Sequence, residues 1–228
     1  MRLVFSGLET PIDLDSGFAT TLQIENGALF ARVARSLSSP DGRFALEPYT
    51  IWKGDMEVRS SAAILMVESP LSLPWDDRSL MGEVVKRLER EFLEEEDLRR
   101  NIEAMDAALS GKLLELGLGM NSDYRFGLEW DLKRYLKFRG FNAGVGVQES
   151  QSLLDNLLNF LSLALDAGCK KVLTFVNLKT FLTENDLKAL FEHVFYSKLS
   201  VLLLENKPDE IVYDYEHKIT VDLHFLES

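Results

Sequence analysis

The chain has 228 residues, 46% of them hydrophobic and 27% charged, with a net charge of −12 and a single cysteine, Cys169. Those proportions exclude a disordered chain, and the lone thiol excludes an internal disulfide framework. The apolar runs fall far short of the roughly twenty residues a membrane helix needs, and Met1 to Phe5 lack a signal-peptide plan, so a cytoplasmic protein with no membrane span is expected.

Residues 2–6, 11–15 and 18–25 alternate and turn quickly at Gly7, Gly17 and Gly27, which predicts short strands. A helical stripe at positions 29, 30, 33, 34 and 37 ends in the run Ser38-Ser39-Pro40-Asp41-Gly42. Strands follow around 44–53 and at 62–67, closed by Pro70 and Pro74. From 78 to 116 the apolar positions recur every three or four residues, interrupted by Glu94 to Asp97, which predicts one long helix or two in tandem. After the loop Gly117 to Ser122, a shorter helix over 128–138 stops at Gly140.

The last third reads as α/β. A strand over 141–147 precedes a very apolar helix capped by Ser152 and ended by Gly168. A buried strand at 171–177, a helix introduced by the capping box Thr183/Asp186, and a second apolar strand at 199–205 follow. Strand, helix and strand in succession predict a parallel sheet with right-handed crossovers, and the alternating runs 211–215 and 219–225 predict an antiparallel hairpin at its edge. The expected fold class is therefore α/β: a mostly parallel sheet head (1–77 and 140–228) with antiparallel edge strands and an inserted all-helical leg (78–139). Neither end covers its apolar faces alone, so the two are expected to share one sheet.

Nucleotide chemistry finds no support in the motifs. Asp106 stands where a phosphate cradle ending at Gly111-Lys112 needs its first glycine, and Leu113 replaces the hydroxyl that would hold magnesium. Gly144-Val145-Gly146 begins a dinucleotide fingerprint, but Glu149 occupies the third glycine position. Asn177 ends the strand where a hydrolase would place a carboxylate. His193, His217 and His224 lack metal-ligand spacing. One enzymatic alternative is carried by Asp209, Glu216 and Lys218, which resemble the Pro-Asp and Glu-x-Lys elements of metal-dependent nucleases. Their bland counterpart is ordinary charge protection of a sheet edge. A protein-binding helical scaffold is the other alternative.

Charge is unevenly spread. The segment from Glu205 to Ser228 carries seven acids against Lys207 and Lys218, whereas Lys133, Arg134, Lys137 and Arg139 place four cations within seven residues free of acids. Such a helix can meet phosphate even in an acidic protein, or it can simply be solvated. Asp123, Glu129 and Asp131 supply hard oxygen donors near the preceding loop, suited either to calcium or to a helix start.

The segments Lys170-Lys171-Val-Leu-Thr-Phe-Val-Asn177, Phe181-Leu-Thr183 and Leu199-Ser-Val-Leu-Leu-Leu-Glu205, with Arg2-Leu-Val-Phe5 and Pro11-Ile12 at the start, resemble the Csn-two family of type II-A CRISPR systems. The resemblance implies an α/β head without a phosphate loop and a helical leg. It further implies a non-catalytic homotetrameric ring that binds double-stranded DNA ends without sequence preference, with calcium near head and leg. Such a protein would assist spacer acquisition beside the CRISPR integrase and effector proteins. On this view Lys133, Arg134, Lys137 and Arg139 are the candidate DNA contacts, and Asp123, Glu129 and Asp131 the candidate metal ligands.

Overall fold

The computed structural model describes residues 1–122, 124–125, 130–143 and 151–223. The chain divides into two compact units, Met1–Trp75 with Gly144–Ser228, and Asp76–Ala143.

The α/β unit begins with β1 (Arg2–Phe5), β2 (Ile12–Asp13) and β3 (Ala19–Ile24), then α1 (Gly27–Leu37), whose cap Asn26 accepts hydrogen bonds from the amides of Ala28 and Leu29. A 3-10 turn at Gly42–Phe44 leads to β4 (Tyr49–Lys53) and β5 (Met56–Val58), and one turn of helix, α2 (Ser60–Ala63), leads to β6 (Ile64–Val67). In the helical unit, α3 (Arg78–Glu94) and α4 (Glu96–Gly117) are separate helices, broken at Glu95 inside the acidic run. They are followed by α5 (Leu132–Phe138). The α/β unit resumes with α6 (Leu153–Asp166), β7 (Val172–Val176), a 3-10 turn at Leu178–Phe181, α7 (Glu184–Ser197), β8 (Val201–Glu205) and β9 (Glu216–Val221). The predicted capping box of Thr183 with Asp186 forms, and the predicted cap Ser152 proves to be half of a second box, with Asp155.

Among the described residues, two sheets replace the single one expected. β2-β1-β4-β5 is antiparallel, while β6-β7-β8-β3-β9 is parallel throughout. The amino-terminal half therefore splits: β3 and β6 join the carboxy-terminal strands, and the other four pair among themselves. The two sheets and α1 share an apolar interior. Leu3, Phe5, Tyr49 and Ile51 from the antiparallel sheet meet Leu29 and Val33 of α1 and Leu22, Ile24, Leu202 and Leu204 of the parallel one. Side chains alternate along a strand, so Leu203, Leu173 and Phe175 face the other way, the side closed by the buried Leu157, Phe160 and Leu161 of α6 and Leu190, Phe191 and Val194 of α7.

The expected carboxy-terminal hairpin does not form among the described residues. Residues 206–215 form no strand, and β9 runs parallel to β3, with Ala19 opposite Glu216 and Ile24 opposite Val221. The chain leaves β8 at one end of the sheet and crosses back as a strap, turning at Tyr215 (φ 62) to enter β9 from the opposite end. A connection that returns across the sheet produces parallel pairing where a tight turn would have produced a hairpin. Of the strand expected over 141–147, residues 141–143 are not in a strand and the remainder lies outside the described residues.

Candidate nucleic-acid interface

The basic helix is built by local chemistry. Asp131 adopts an extended backbone (φ −143, ψ 122) and its Oδ1 accepts from the Arg134 amide at 2.7 Å, which satisfies one of the unpaired donors of the first turn. Gly140, at φ +68, takes the left-handed conformation that stops α5. Leu132 and Leu136 are half-buried, and Trp130 anchors the start through Phe92 of α3 (5.1 Å between ring centroids) and Tyr135 (6.1 Å).

This leaves Lys133, Arg134, Lys137 and Arg139 exposed. Among the described residues none of the four has an ion-pair partner, whereas Lys86, Arg87, Arg99, Arg100 and Lys112 on α3 and α4 each lie within 4 Å of a carboxylate. Uncommitted cations are what phosphate requires, since a cation already paired gives up its partner before it can release a counterion. Tyr135 and Phe138 stand exposed beside them, an aromatic component that residue spacing alone does not reveal.

Of the three candidate calcium ligands, Asp131 is the helix cap, and Asp123 and Glu129 lie outside the described residues. Among the described residues no three His, Cys, Asp or Glu side chains converge where a metal ion could sit. On this geometry the Asp131 carboxylate is fitted to a helix terminus.

Asp209, Glu216 and Lys218 do come together, beneath the strap. Lys179, from the turn after β7, inserts between the two carboxylates, with Nζ 2.8 Å from Asp209 Oδ2 and 2.6 Å from Glu216 Oε1. Glu216 also accepts from Thr21 Oγ1 at 2.5 Å and from the Tyr213 amide at 3.1 Å. Lys218 Nζ donates to the carbonyls of Asp209 (2.6 Å) and Ile211, and the Asp209 amide donates to Gln23 Oε1 at 2.9 Å. The ammonium of Lys179 thus fills the position between the carboxylates that a catalytic metal would need, and both lysines are committed to fixing the strap. The geometry is that of a clasp and disfavours the nuclease alternative.

Burial would raise the carboxyl of Asp209, but the hydrogen bond from Lys179 and its neighbours' charge hold it below the usual carboxylate range. Burial would likewise lower Lys179, and its hydrogen bonds to Asp209 and Glu216 outweigh that and raise it. Glu205, at the end of β8 and only 2% exposed, behaves oppositely. Desolvation pushes it up to about 7, against the pull of the Lys179 amide that it accepts at 3.0 Å. Neither Lys179 nor Glu205 stands out in the sequence. The signals there are a lysine three residues after the apolar strand β7 and a carboxylate closing β8.

The turns that would cradle a nucleotide are occupied by other bonds. Asn26 caps α1, Asn177 (φ 51) accepts the Asn206 amide through its side chain, and Lys112 pairs with Glu115 inside α4. His217 stacks on Phe18 (4.4 Å), His193 is half-buried, and His224 lies outside the described residues.

Residues 48–222 match the family model described as CRISPR-associated protein (Cas_Csn2). A curated relative, "CRISPR-associated protein Csn2" of Enterococcus faecalis, is 21% identical over 211 residues, covering 91% of this chain and 90% of that protein. The solved structure "Crystal structure of Stu0660 of Streptococcus thermophilus" superimposes with a TM-score of 0.56 at 14% identity, over 97% of this chain and 74% of that one, a likeness of fold. With the family model spanning most of its length, the chain belongs to the Cas_Csn2 family of CRISPR-associated proteins.

Proposed function

We propose that this protein binds the ends of double-stranded DNA without sequence preference and without catalysis, as a ring of four identical subunits serving spacer acquisition in the cytoplasm. The observation that carries the reading is the set of four exposed cations on α5 and its C-cap Arg139, unpaired among the described residues, in a chain whose net charge is −12. Phosphate contacts of this kind hold a duplex without reading its bases. Four positive charges on one subunit are few for tight binding, and a closed ring multiplies them around the duplex.

The helical unit supports self-association. No residue of α4 is buried, and Leu98, Met105, Leu109, Leu113 and Leu116, spaced three, four or seven apart, are 46–74% exposed. A stripe at that spacing is the seam of a helix that packs against another. A second copy of the chain is the partner in this proposal, and the CRISPR integrase and effector proteins are its collaborators. Calcium belongs to the proposal through Asp123, Glu129 and Asp131 as oxygen donors, and no step of DNA binding is routed through it.

The test is a gel shift of linear and closed circular duplexes at low and high salt, with the mass in solution measured by light scattering. The reading expects a tetramer that retards linear DNA, falls off steeply with salt and ignores closed circles. A monomer, or equal retardation of both topologies, refutes it. DNA cut in the presence of a divalent metal, and spared by Asp209→Ala, would establish the nuclease reading in its place.

A further inference from the structure

The strap between β8 and β9 presents apolar side chains to solvent. It is pinned on both sides of Ile211 and Val212. Before them, the Asp209 carboxylate and amide are held by Lys179 and Gln23, and the Ile211 amide donates to Asp209 Oδ1 at 3.0 Å. After them, Tyr213 is buried edge-on against Phe191 of α7, at 5.5 Å. Their side chains are nonetheless turned outward, Ile211 43% and Val212 68% exposed. The contacts on either side fix the backbone that carries these two apolar side chains at the surface.

Depressions flank this ridge. One, of 320 Å³, lies between Ile211, Val212 and α7 and carries Glu184, Glu192 and Asp214 against Lys188. The other, of 260 Å³, is lined by the apolar Leu182, Leu187 and Pro208 together with Lys207 and Glu184. Glu184, Glu192 and Asp214 are exposed and have no ion-pair partner among the described residues. An apolar ridge rimmed by unpaired carboxylates repels DNA and complements a protein segment that carries lysine or arginine beside apolar side chains.

We propose that the groove between α7 and the strap docks a basic, amphipathic segment of a partner protein, its apolar side chains seated on Ile211 and Val212 and its cations on Glu184, Glu192 and Asp214. The docking uses no residue of α5, so it is tested separately from duplex binding.

The probe is a fluorescent sixteen-residue peptide with leucines at helical spacing and lysines between them, titrated into the full-length protein. A peptide of lysines without leucines serves as the control for bare charge attraction. Binding should be salt-dependent, and weaker by more than about tenfold in Ile211→Ser/Val212→Ser and in Glu192→Lys/Asp214→Lys, a change of ~1.4 kcal/mol or more. It should be unchanged in Lys133→Glu/Lys137→Glu, the variant that abolishes the proposed DNA binding. The second groove variant alters only exposed carboxylates, so its fold does not depend on the strap's packing. Equal affinity for the leucine-free peptide, or full affinity in either groove variant, overturns the proposal.

Discussion

Replacing Glu205 with glutamine tests how the clasp handles its charge. Three carboxylates, Glu205, Asp209 and Glu216, share this site with two ammonium groups, Lys179 and Lys218, and Glu205 is the one with no lysine Nζ bonded to it. Its carboxyl rises from 4.5 to about 7 on folding because burial disfavours the anion. A folded state that holds a proton more tightly than the unfolded chain takes one up between those two values, so stability falls as pH rises through that window and levels off above it. At ~1.4 kcal/mol for each pH unit, the loss is about 3 kcal/mol. Glutamine keeps the oxygen that accepts the Lys179 amide and has no proton to lose. The variant should therefore gain most of this, about 2–3 kcal/mol, over the parent between pH 5 and pH 8. In urea, with a slope of roughly 2 kcal/mol/M, that corresponds to a relative midpoint shift of ~1–1.5 M.

Fluorescence of Trp75, buried against Phe160 at 5.7 Å, reports the α/β unit, and a Trp130→Phe background removes the signal of the helical unit. His193, which burial lowers, biases both proteins alike and cancels in the difference. Asp209, lowered, loses its contribution only below the ordinary carboxylate range, outside the window. A difference between variant and parent that stays constant from pH 5 to 8, or that moves against the variant, would refute the reasoning and place an ionised Glu205 inside the clasp.

Removing the clasp's centre should be costly: Lys179→Met strands Glu216, whose side chain is 0% exposed, and is expected to destabilise the α/β unit by about 3–5 kcal/mol in urea unfolding. Lys133→Ala and Lys137→Ala should each weaken duplex binding equally for unrelated sequences and flatten the dependence of log affinity on log salt by about 0.9 for every phosphate left without its cation, measured by fluorescence anisotropy. Leu109→Lys, at the centre of the exposed stripe on α4, should reduce the particle mass in light scattering while leaving circular dichroism unchanged, because the side chain is already 60% exposed within one chain. Asp131→Ala removes a helix cap and should cost α5 about 1 kcal/mol, seen as faster amide exchange from Lys133 to Lys137.

Helix ends, capping boxes and the continuous apolar strands are legible in the sequence because they are local events. Ser152 and Asp155, or Thr183 and Asp186, are three residues apart, and their hydrogen bonds close within one turn. The basic character of α5 is equally plain, since four cations within seven residues need no distant partner to be recognised. Partner choice between strands is not. β3 sits between β8 and β9, from nearly two hundred residues away, and β1 turns to β4 because paired faces must be covered by whatever apolar surface the whole chain brings. Asp209, Glu216 and Lys218 can be picked out by type, but their role rests on Lys179, some thirty residues earlier, arriving between them. Whether a carboxylate waits for a metal or is already answered by a lysine depends on distances of a few ångströms between remote segments, and those exist only once the chain has folded.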